Sequence, residues 1–357
     1  MALDETVFIT GFPGFIAGRL AEGLAKKGGR FLLLVQPGFV ERARVEIERI
    51  AHQSGSPVSN FHILEGDITR TDLGLSRDEL EIARAQSTVI FHLAAIYDLA
   101  VARDTAMRVN AEGTRNVNNF VRSMSNLRHY HYVSTCYVAG KRPGRICETE
   151  LQHDSGFRNY YEESKYLAEL AVDSLKSELP ITIHRPAVVC GDSKTGETAK
   201  YDGIYYLIHY LRKWPSLLTL FNIGNHDVTL NLVPVDFVVA AMSALATDER
   251  AVGKTLQLAD PNPLTTHELF NTIARCLNDT GSSITIPASL VQFSLMLPPS
   301  PRLTGLPHHG VPYFFLEQTY DTKQARELLE LHSVYCPAFP TYAKTIVDYA
   351  SRHPVLS

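Results

Sequence analysis

Tyr161 and Lys165 stand four residues apart in the stretch NYYEESKYLAEL, residues 159–170. On a helix that spacing puts both side chains on one face. An ammonium beside a phenol favours the phenolate and lowers the tyrosine pKa. The phenol then becomes a better proton donor to an alkoxide forming near neutral pH. The neighbouring tyrosines have no such partner, because Ser164 lies four beyond Tyr160 and Leu170 four beyond Tyr166. The expectation is that Tyr160 and Tyr166 pack, that Glu162 and Glu163 face water, and that Ser164 lies close to a sheet.

A second pair of hydroxyls, Ser134 and Thr135, closes the apolar run in YVSTCYVAG. Ligands bind at the carboxyl edge of open α/β sheets, so a hydroxyl there could hydrogen-bond a reacting carbonyl oxygen. Upstream, TGFPGFIAGRL spaces Gly11, Gly14 and Ala17 by three, directly after a strand and opening a helix. Small residues at those places allow a tight turn, bring backbone N–H groups near a pyrophosphate, and aim a helix N-terminus at its charge. The second strand ends Leu34-Val35-Gln36-Pro37, without the acid that holds the ribose hydroxyls in an NAD-preferring site, and Arg42 and Arg44 follow. An arginine attracts a 2′-phosphate, so NADP(H) is favoured over NAD(H). Asp67, in EGDIT, is placed to accept from an adenine amino group, and HLAA at 92–95 is small enough for a cofactor to pass close.

Positioning these residues takes a particular set of elements. The runs TVFIT, RFLLLVQ, FHILEGD, STVIFHLAA, RHYHYVST and ITIHRPAVV are continuous apolar segments, as expected of strands buried on both faces. Helical patterns fall between them near 15–27, 39–52, 77–85, 104–124 and 157–178. Strand–helix alternation predicts an α/β fold, a Rossmann-type doubly wound parallel sheet with helices on both faces. After about residue 190 the rhythm changes, although NLVPVDFVVAAMSAL looks like a strand–helix unit returning to the sheet. The expected division is a nucleotide-binding domain over 1–190 and 229–258, with a smaller mixed α/β substrate domain over 191–228 and 259–357.

The chain has 357 residues, enough for one large or two fused domains. A net charge of −4 without a basic block argues against nucleic acid as a partner. The five cysteines form no CxxC pair and read as reduced thiols of a cytoplasmic protein. MALDETVFIT runs straight into a strand, so no leader is expected. ITIPASLVQFSLMLPPSP is too broken by proline and serine to span a membrane.

Taken together, TGFPGFIA, GDIT, HLAA, VNAEGT, VSTCYV, YEESK and RPAVVCGDS resemble the extended short-chain dehydrogenase/reductase family over roughly residues 5–260. GDSKTG and YEESKYLAE are most similar to its thioester reductase and fatty acyl-CoA reductase branch, the male sterility type of NAD-binding domain. The resemblance implies a catalytic set of Thr135, Tyr161 and Lys165. The cofactor residues it implies begin with Thr10, Gly11, Pro13, Gly14, Phe15 and Ile16 in the glycine loop. They continue with Gln36, Arg42, Asp67 and Ile68 around the next two strand ends, and with Leu93, Ala94 and Ala95 in HLAA. Asn110, Ser134, Pro186 and Val188 complete them, with Tyr161 and Lys165 themselves.

What the resemblance implies is hydride transfer to the carbonyl of an acyl thioester or derived aldehyde or ketone. Tyr161 protonates the oxygen, Thr135 shares the hydrogen bond, and Lys165 binds the ribose and tunes the phenol. The expected substrate is a small molecule, an acyl-CoA or a carrier-protein-bound acyl group, and a homodimer is an allowed assembly. A competing reading is an epimerase, dehydratase or hydroxy-group dehydrogenase acting on a sugar nucleotide, sterol or similar alcohol, but the chain has HRPAVVCGDS where the sugar-nucleotide branch has an Asn-x-Tyr-Gly-Pro pattern. A non-catalytic NAD(P) sensor would have no need of Thr135, Tyr161 and Lys165.

Other residues invite roles that the sequence does not support. His308 and His309 lack further ligands at metal spacing, so no metal site is expected. His92 and His184 read as core or near-cofactor histidines, Cys136 as a small core residue, and Asp236 as a pocket or helix-capping residue. The apolar stretch 290–297 reads as a packed helix.

Overall fold

The computed structural model describes residues 3–213, 221–278, 284–285 and 310–354. Seven parallel strands build the central sheet. They are β1 (Leu3–Thr10), β2 (Gly28–Val35), β3 (Phe61–Glu65), β4 (Val89–His92), β5 (His129–Val133), β6 (Ile181–Pro186) and β7 (Thr255–Leu258). Their order is β7-β6-β5-β4-β1-β2-β3. The winding reverses between β1 and β4, which is where open parallel sheets form their ligand crevice.

The helices are α1 (Phe15–Ala25), α2 (Val40–Ser54), α3 (Arg77–Gln86), α4 (Gly113–Arg122) and α5 (Tyr160–Asp173), followed by α6 (Ile204–Lys213), α7 (Val235–Leu245), α8 (Thr266–Asn278), α9 (Lys323–Glu330) and α10 (Ala343–Arg352). Leu20, Leu24, Ile47, Ile50, Val238 and Met242 bury the faces of α1, α2 and α7 on one side of the sheet. Leu80, Ala83, Val117, Phe120, Ala168 and Val172 bury α3, α4 and α5 on the other. A sheet covered on both faces explains why its strands read as unbroken apolar runs.

Local signals set several element ends. Ser76 and Glu79 form a capping box on α3: the Ser76 hydroxyl accepts from the Glu79 N–H, and the Glu79 carboxylate accepts from the Ser76 N–H. Asn159 caps α5 by accepting from the Glu162 N–H at 3.0 Å. Gly55 ends α2 in the left-handed region, at φ 73°. The helical stretch expected over 104–124 is irregular: a π-helical turn, Met107–Glu112, interrupts it just before α4.

Two expectations need correcting. ITIHRPAVV is two strands, because the ladder breaks after Pro186 and Val188–Cys190 pairs in parallel with Leu232–Pro234 instead. The strand of NLVPVDFVVAAMSAL therefore joins that two-stranded ladder, while its helix α7 packs on α1 against the sheet. The seventh sheet position goes to Thr255–Leu258, which pairs with β6.

A second core gathers Ile204, Leu207 and Leu211 of α6, Leu269 and Phe270 of α8, and Ile346 and Val347 of α10. Buried Glu148 ties α9 to the sheet, accepting from the Gln257 N–H of β7 and from the Gln324 and Ala325 N–H groups. No helix among the described residues is long and apolar enough to cross a membrane. The 290–297 stretch and the His308–His309 pair lie outside the described residues.

Candidate active site

The glycine loop sits at the β1/β4 reversal. Gly11 has φ +88°, and a Cβ there would lie 2.8 Å from the Ala94 nitrogen. A Cβ on Gly14 would lie 2.6 Å from the Gly11 carbonyl oxygen. Both glycines are therefore fixed by backbone crowding, independently of any ligand. Gly14 precedes α1 without a side-chain cap, so the first N–H groups of α1 keep their capacity for an anion. Thr10 braces the turn: its hydroxyl accepts from the Ala94 N–H at 3.1 Å and pairs with His92 Nδ1 at 2.7 Å. His92 is completed by the Thr114 hydroxyl at 3.0 Å, which makes it a satisfied core histidine. Pro13, Phe15 and Ile16 continue the loop, with the Arg19 guanidinium 5.0 Å over the Phe15 ring.

At the neighbouring strand ends, Gln36 Nε2 donates to Asp67 at 3.2 Å, which brings these two predicted residues together. Asp67 also accepts from the Thr69 N–H at 2.8 Å, so it shapes its own turn. Arg42 is exposed on the first turn of α2, and Arg44 pairs with Glu41 at 3.5 Å. The Ile68 side chain is buried in the core beneath Gly113 of α4. Leu93, Ala94 and Ala95 follow β4 directly and face Gly11 through the Ala94 backbone.

Thr135 lies two residues beyond β5, and its hydroxyl accepts from the Tyr137 N–H at 3.2 Å. It also lies beside the Tyr161 phenol, which is 7% exposed on the first turn of α5. Strand end and helix thus deliver the predicted pair to one place. Burial pushes the Tyr161 pKa up, and the neighbouring Thr135 hydroxyl only partly offsets it. That corrects the expectation of a phenol acidified by Lys165. The Lys165 ammonium instead donates to the Tyr132 hydroxyl at 2.9 Å and the Val133 carbonyl at 2.8 Å, and lies 4.5 Å over the Tyr132 ring. Burial lowers the Lys165 pKa to about 7, with Glu169 acting in the opposite direction.

Two further expectations change. Glu162 is fully buried, not solvated: it accepts from the Tyr313 hydroxyl at 2.6 Å and from Arg158 Nη1 at 3.3 Å. Tyr160 is 45% exposed and packs little. Ser164 is buried, with Asn110 of the π-helical turn as its partner. Asn110 Nδ2 donates to the Ser164 hydroxyl at 2.9 Å, and its Oδ1 accepts from the Ile96 N–H at 2.8 Å, so its amide is engaged in structure. The Ser134 hydroxyl is likewise engaged, donating to Glu169. Asp236 accepts from the Ser193 N–H and hydroxyl at 2.8 and 2.7 Å, fixing the GDS loop. Pro186 ends β6, and Val188 borders a small hollow beside Tyr137 and Tyr313.

The sequence reading missed Tyr97, whose ring meets Tyr161 edge-on at 5.0 Å. Tyr97 opens a cleft of about 670 Å³ that Lys200, Tyr201, Asp202, Tyr205 and Tyr206 also line. Asp202 is held above the usual carboxylate pKa by burial. Lys200 Nζ donates to the Tyr97 carbonyl at 2.8 Å, bridging the cleft mouth. No local spacing marks Tyr97 or Tyr313, because each reaches the site through tertiary packing. The described residues include no group of three that could hold a metal.

The family described as male sterility protein, an NAD-binding domain, matches residues 9–242. The fatty acyl-CoA reductase wat of Drosophila melanogaster is 25% identical, over 69% of this chain and 54% of its own length. The chain therefore spans about half of that relative. Among solved structures, the terminal R domain from the myxalamid PKS-NRPS biosynthetic pathway superposes with a TM-score of 0.83, at 24% identity, covering 99% of this chain and 91% of that one. UDP-glucuronic acid 4-epimerase from Bacillus cereus, in complex with NAD, gives 0.68 at 17% identity, covering 97% and 99%. At these identities the likeness establishes the fold.

Proposed function

The chain belongs to the male sterility protein family of NAD-binding domains, and from that premise we propose that it is an NAD(P)H-dependent reductase of acyl thioesters or of the aldehydes derived from them. The observation that supports this most is the meeting of Thr135 and Tyr161 beside the cleft that Tyr97 opens. A volume of about 670 Å³ is in the range of small-molecule sites. The glycine turn fits a dinucleotide: side chains are excluded at Gly11 and Gly14, and the uncapped start of α1 is left to meet a pyrophosphate. When bound, a reduced nicotinamide supplies the hydride. Tyr161, kept protonated by burial, donates its proton to the carbonyl oxygen as negative charge builds there. Thr135 holds the phenol in place and shares that oxygen, so positioning and electrostatics carry the rate. Lys165, one turn on, is assigned to the ribose hydroxyls.

We assign nucleotide binding to residues 1–190 and 229–258 and substrate binding to 191–228 and 259–357. NADP(H) is preferred, since Gln36 replaces an acid and Arg42 stands exposed at the start of α2. The acyl group would arrive as a thioester of CoA or of a carrier protein.

The test is to mix the protein with NADPH or NADH and a panel of acyl-CoA thioesters, aldehydes and sugar nucleotides, following the nicotinamide absorbance. Oxidation with thioesters or aldehydes is expected. Tyr161→Phe should lower kcat by about 10²–10⁴-fold, in line with removal of a general acid, while cofactor affinity is retained. Turnover of sugar nucleotides without net cofactor consumption would overturn the proposal.

A further inference from the structure

Thr135 is bracketed on both sides by contacts to the same pair of residues. The hydroxyl of Ser134, before it, donates to Glu169 of α5. The thiol of Cys136, after it, donates to the Arg185 carbonyl of β6 at 3.1 Å. Arg185 and Glu169 are themselves joined: Nε and Nη2 both donate to Glu169 Oε1, at 2.8 and 2.6 Å. The remaining arm, Nη1, donates to the Glu150 carbonyl at 2.9 Å. The two side chains are 2% and 0% exposed. Glu169 also follows Lys165 by one helical turn, so the two share a face of α5.

We propose that Glu169 and Arg185 are the positioning pair of this active site. They fasten the strand end carrying Thr135 to the helix carrying Tyr161 and Lys165, and Glu169, one helical turn on, supplies the counter-charge that favours the Lys165 ammonium. The inference rests on the catalytic assignment of Thr135, Tyr161 and Lys165 made above. Lys165 already grips Tyr132 and Val133 of β5. With Ser134 and Cys136 held as well, Thr135, whose hydroxyl accepts from the Tyr137 N–H, is kept beside the Tyr161 phenol.

A charged pair is an expensive fastener. Well-packed apolar groups of similar volume often serve stability as well or better than a buried ion pair. Its presence here is accounted for by the charge it brings. Lys165 meets the Tyr132 phenol and the Val133 carbonyl from β5 and acts on His92 of β4, while Tyr161 and Glu169 stand one turn before and after it on its own helix. Burial holds Tyr132 and Tyr161 protonated and His92 neutral, so none of them opposes the lysine's desolvation. Among these facing groups Glu169 is the anion, and it pulls the Lys165 pKa back up. A neutral Lys165 would offer the ribose and the neighbouring phenol a weaker donor and no field.

The test compares Glu169→Gln, the double variant Glu169→Gln/Arg185→Gln, and Ser134→Ala. The Lys165 titration midpoint is read directly, by NMR of isotope-labelled lysine side chains, alongside kcat and KM against pH. Glu169→Gln should lower the Lys165 midpoint by about one pH unit, a tenfold loss of proton affinity. The alkaline limb of kcat should move down with it, and KM should change little. The double variant leaves no unpaired buried arginine, so it should regain the melting temperature but not the midpoint. It decides the matter if the single variant does not fold. Ser134→Ala cuts only the tether, and should lower kcat with the Lys165 midpoint in place. An unchanged midpoint in the Gln variants, or a wild-type pH profile in the double variant, would overturn the inference and leave a merely structural pair. The NMR titration needs no turnover, so it reports on Glu169 even where Tyr161→Phe has shown the catalytic reading to be wrong.

Discussion

The two sides of the crevice are held by different physics. On the nucleotide side, the turn from β1 into α1 is set by backbone crowding: Gly11 against Ala94 at the end of the neighbouring strand, and Gly14 against Gly11 within the turn. On the catalytic side, α5 is held by buried polar side chains, most of them from other segments. Asn110 grips Ser164, Tyr313 and Arg158 satisfy Glu162, and Arg185 satisfies Glu169. The first arrangement tolerates no added atoms, whereas the second tolerates no missing or extra charge. The two should therefore fail differently.

Acid should separate them most widely. Four buried histidines lie in or beside the catalytic half: His92 on β4, His129 and His131 on β5, and His184 on β6. Burial depresses His92 and His184 to about 3 and His129 to about 4, and holds His131 well below its usual value. Their folded pKa values lie below the unfolded value, so the unfolded chain binds more protons once pH drops below about 6.5. Stability is thus fully present above about pH 6.5 and is lost as pH falls toward 4, by up to about 2 kcal/mol per histidine at pH 5. Urea titrations at pH 7, 6 and 5 should show this. Hydrogen exchange at pH 5 should show β5 and β6 losing protection before the β1–β2 pair; equal loss would break the comparison.

Next in size is Gly11→Ala, which forces a Cβ against the Ala94 backbone at a left-handed residue. Cofactor affinity should fall roughly 100-fold and stability by about 2–3 kcal/mol, since strained backbone and steric displacement add. The Lys165 titration midpoint should not move. On the catalytic side, Glu162→Gln leaves Arg158 without its carboxylate and alters the Tyr313 hydrogen bond. A loss of about 1–3 kcal/mol is expected by thermal or urea unfolding, with cofactor affinity unaffected. Cofactor binding that tracks stability in Glu162→Gln, or survives in Gly11→Ala, would show that the two sides are not independent.

The same division explains what the sequence disclosed. Spacing alone pointed to the glycine turn, the apolar strands and the Tyr161–Lys165 register, because each pattern is written within a few consecutive residues, even though the crowding at Gly11 comes from Ala94. It misplaced Glu162, since a carboxylate in a first helical turn normally faces water. Here Tyr313, far along the chain, closes over it. It also misjudged the Tyr161 phenol, because pairing was weighed without burial, and burial is a property of the assembled core. Tyr97 has no sequence signature, and neither does the strand switch after Pro186, where pairing passes to Leu232–Pro234. Glu169 was within reach, one turn beyond Lys165 in YEESKYLAE, but its partner Arg185 sits on a strand whose apolar run disguised it.

The smallest expected effect tests the rim of the nucleotide side, where neither crowding nor burial acts. Gln36 donates to Asp67 and so closes the strand end without adding a negative charge beside the expected ribose. Arg42 stands exposed on the first turn of α2. An exposed guanidinium is hydrated and screened, so its pairing with a 2′-phosphate is worth little more than a surface ion pair. Arg42→Ala should therefore weaken NADPH binding only about fivefold at low salt, and less as salt rises. NADH, which carries no 2′-phosphate, should bind as before. Isothermal titration of both cofactors at two salt concentrations gives the comparison, and an equal loss for NADPH and NADH would show that Arg42 shapes α2 instead of selecting the cofactor.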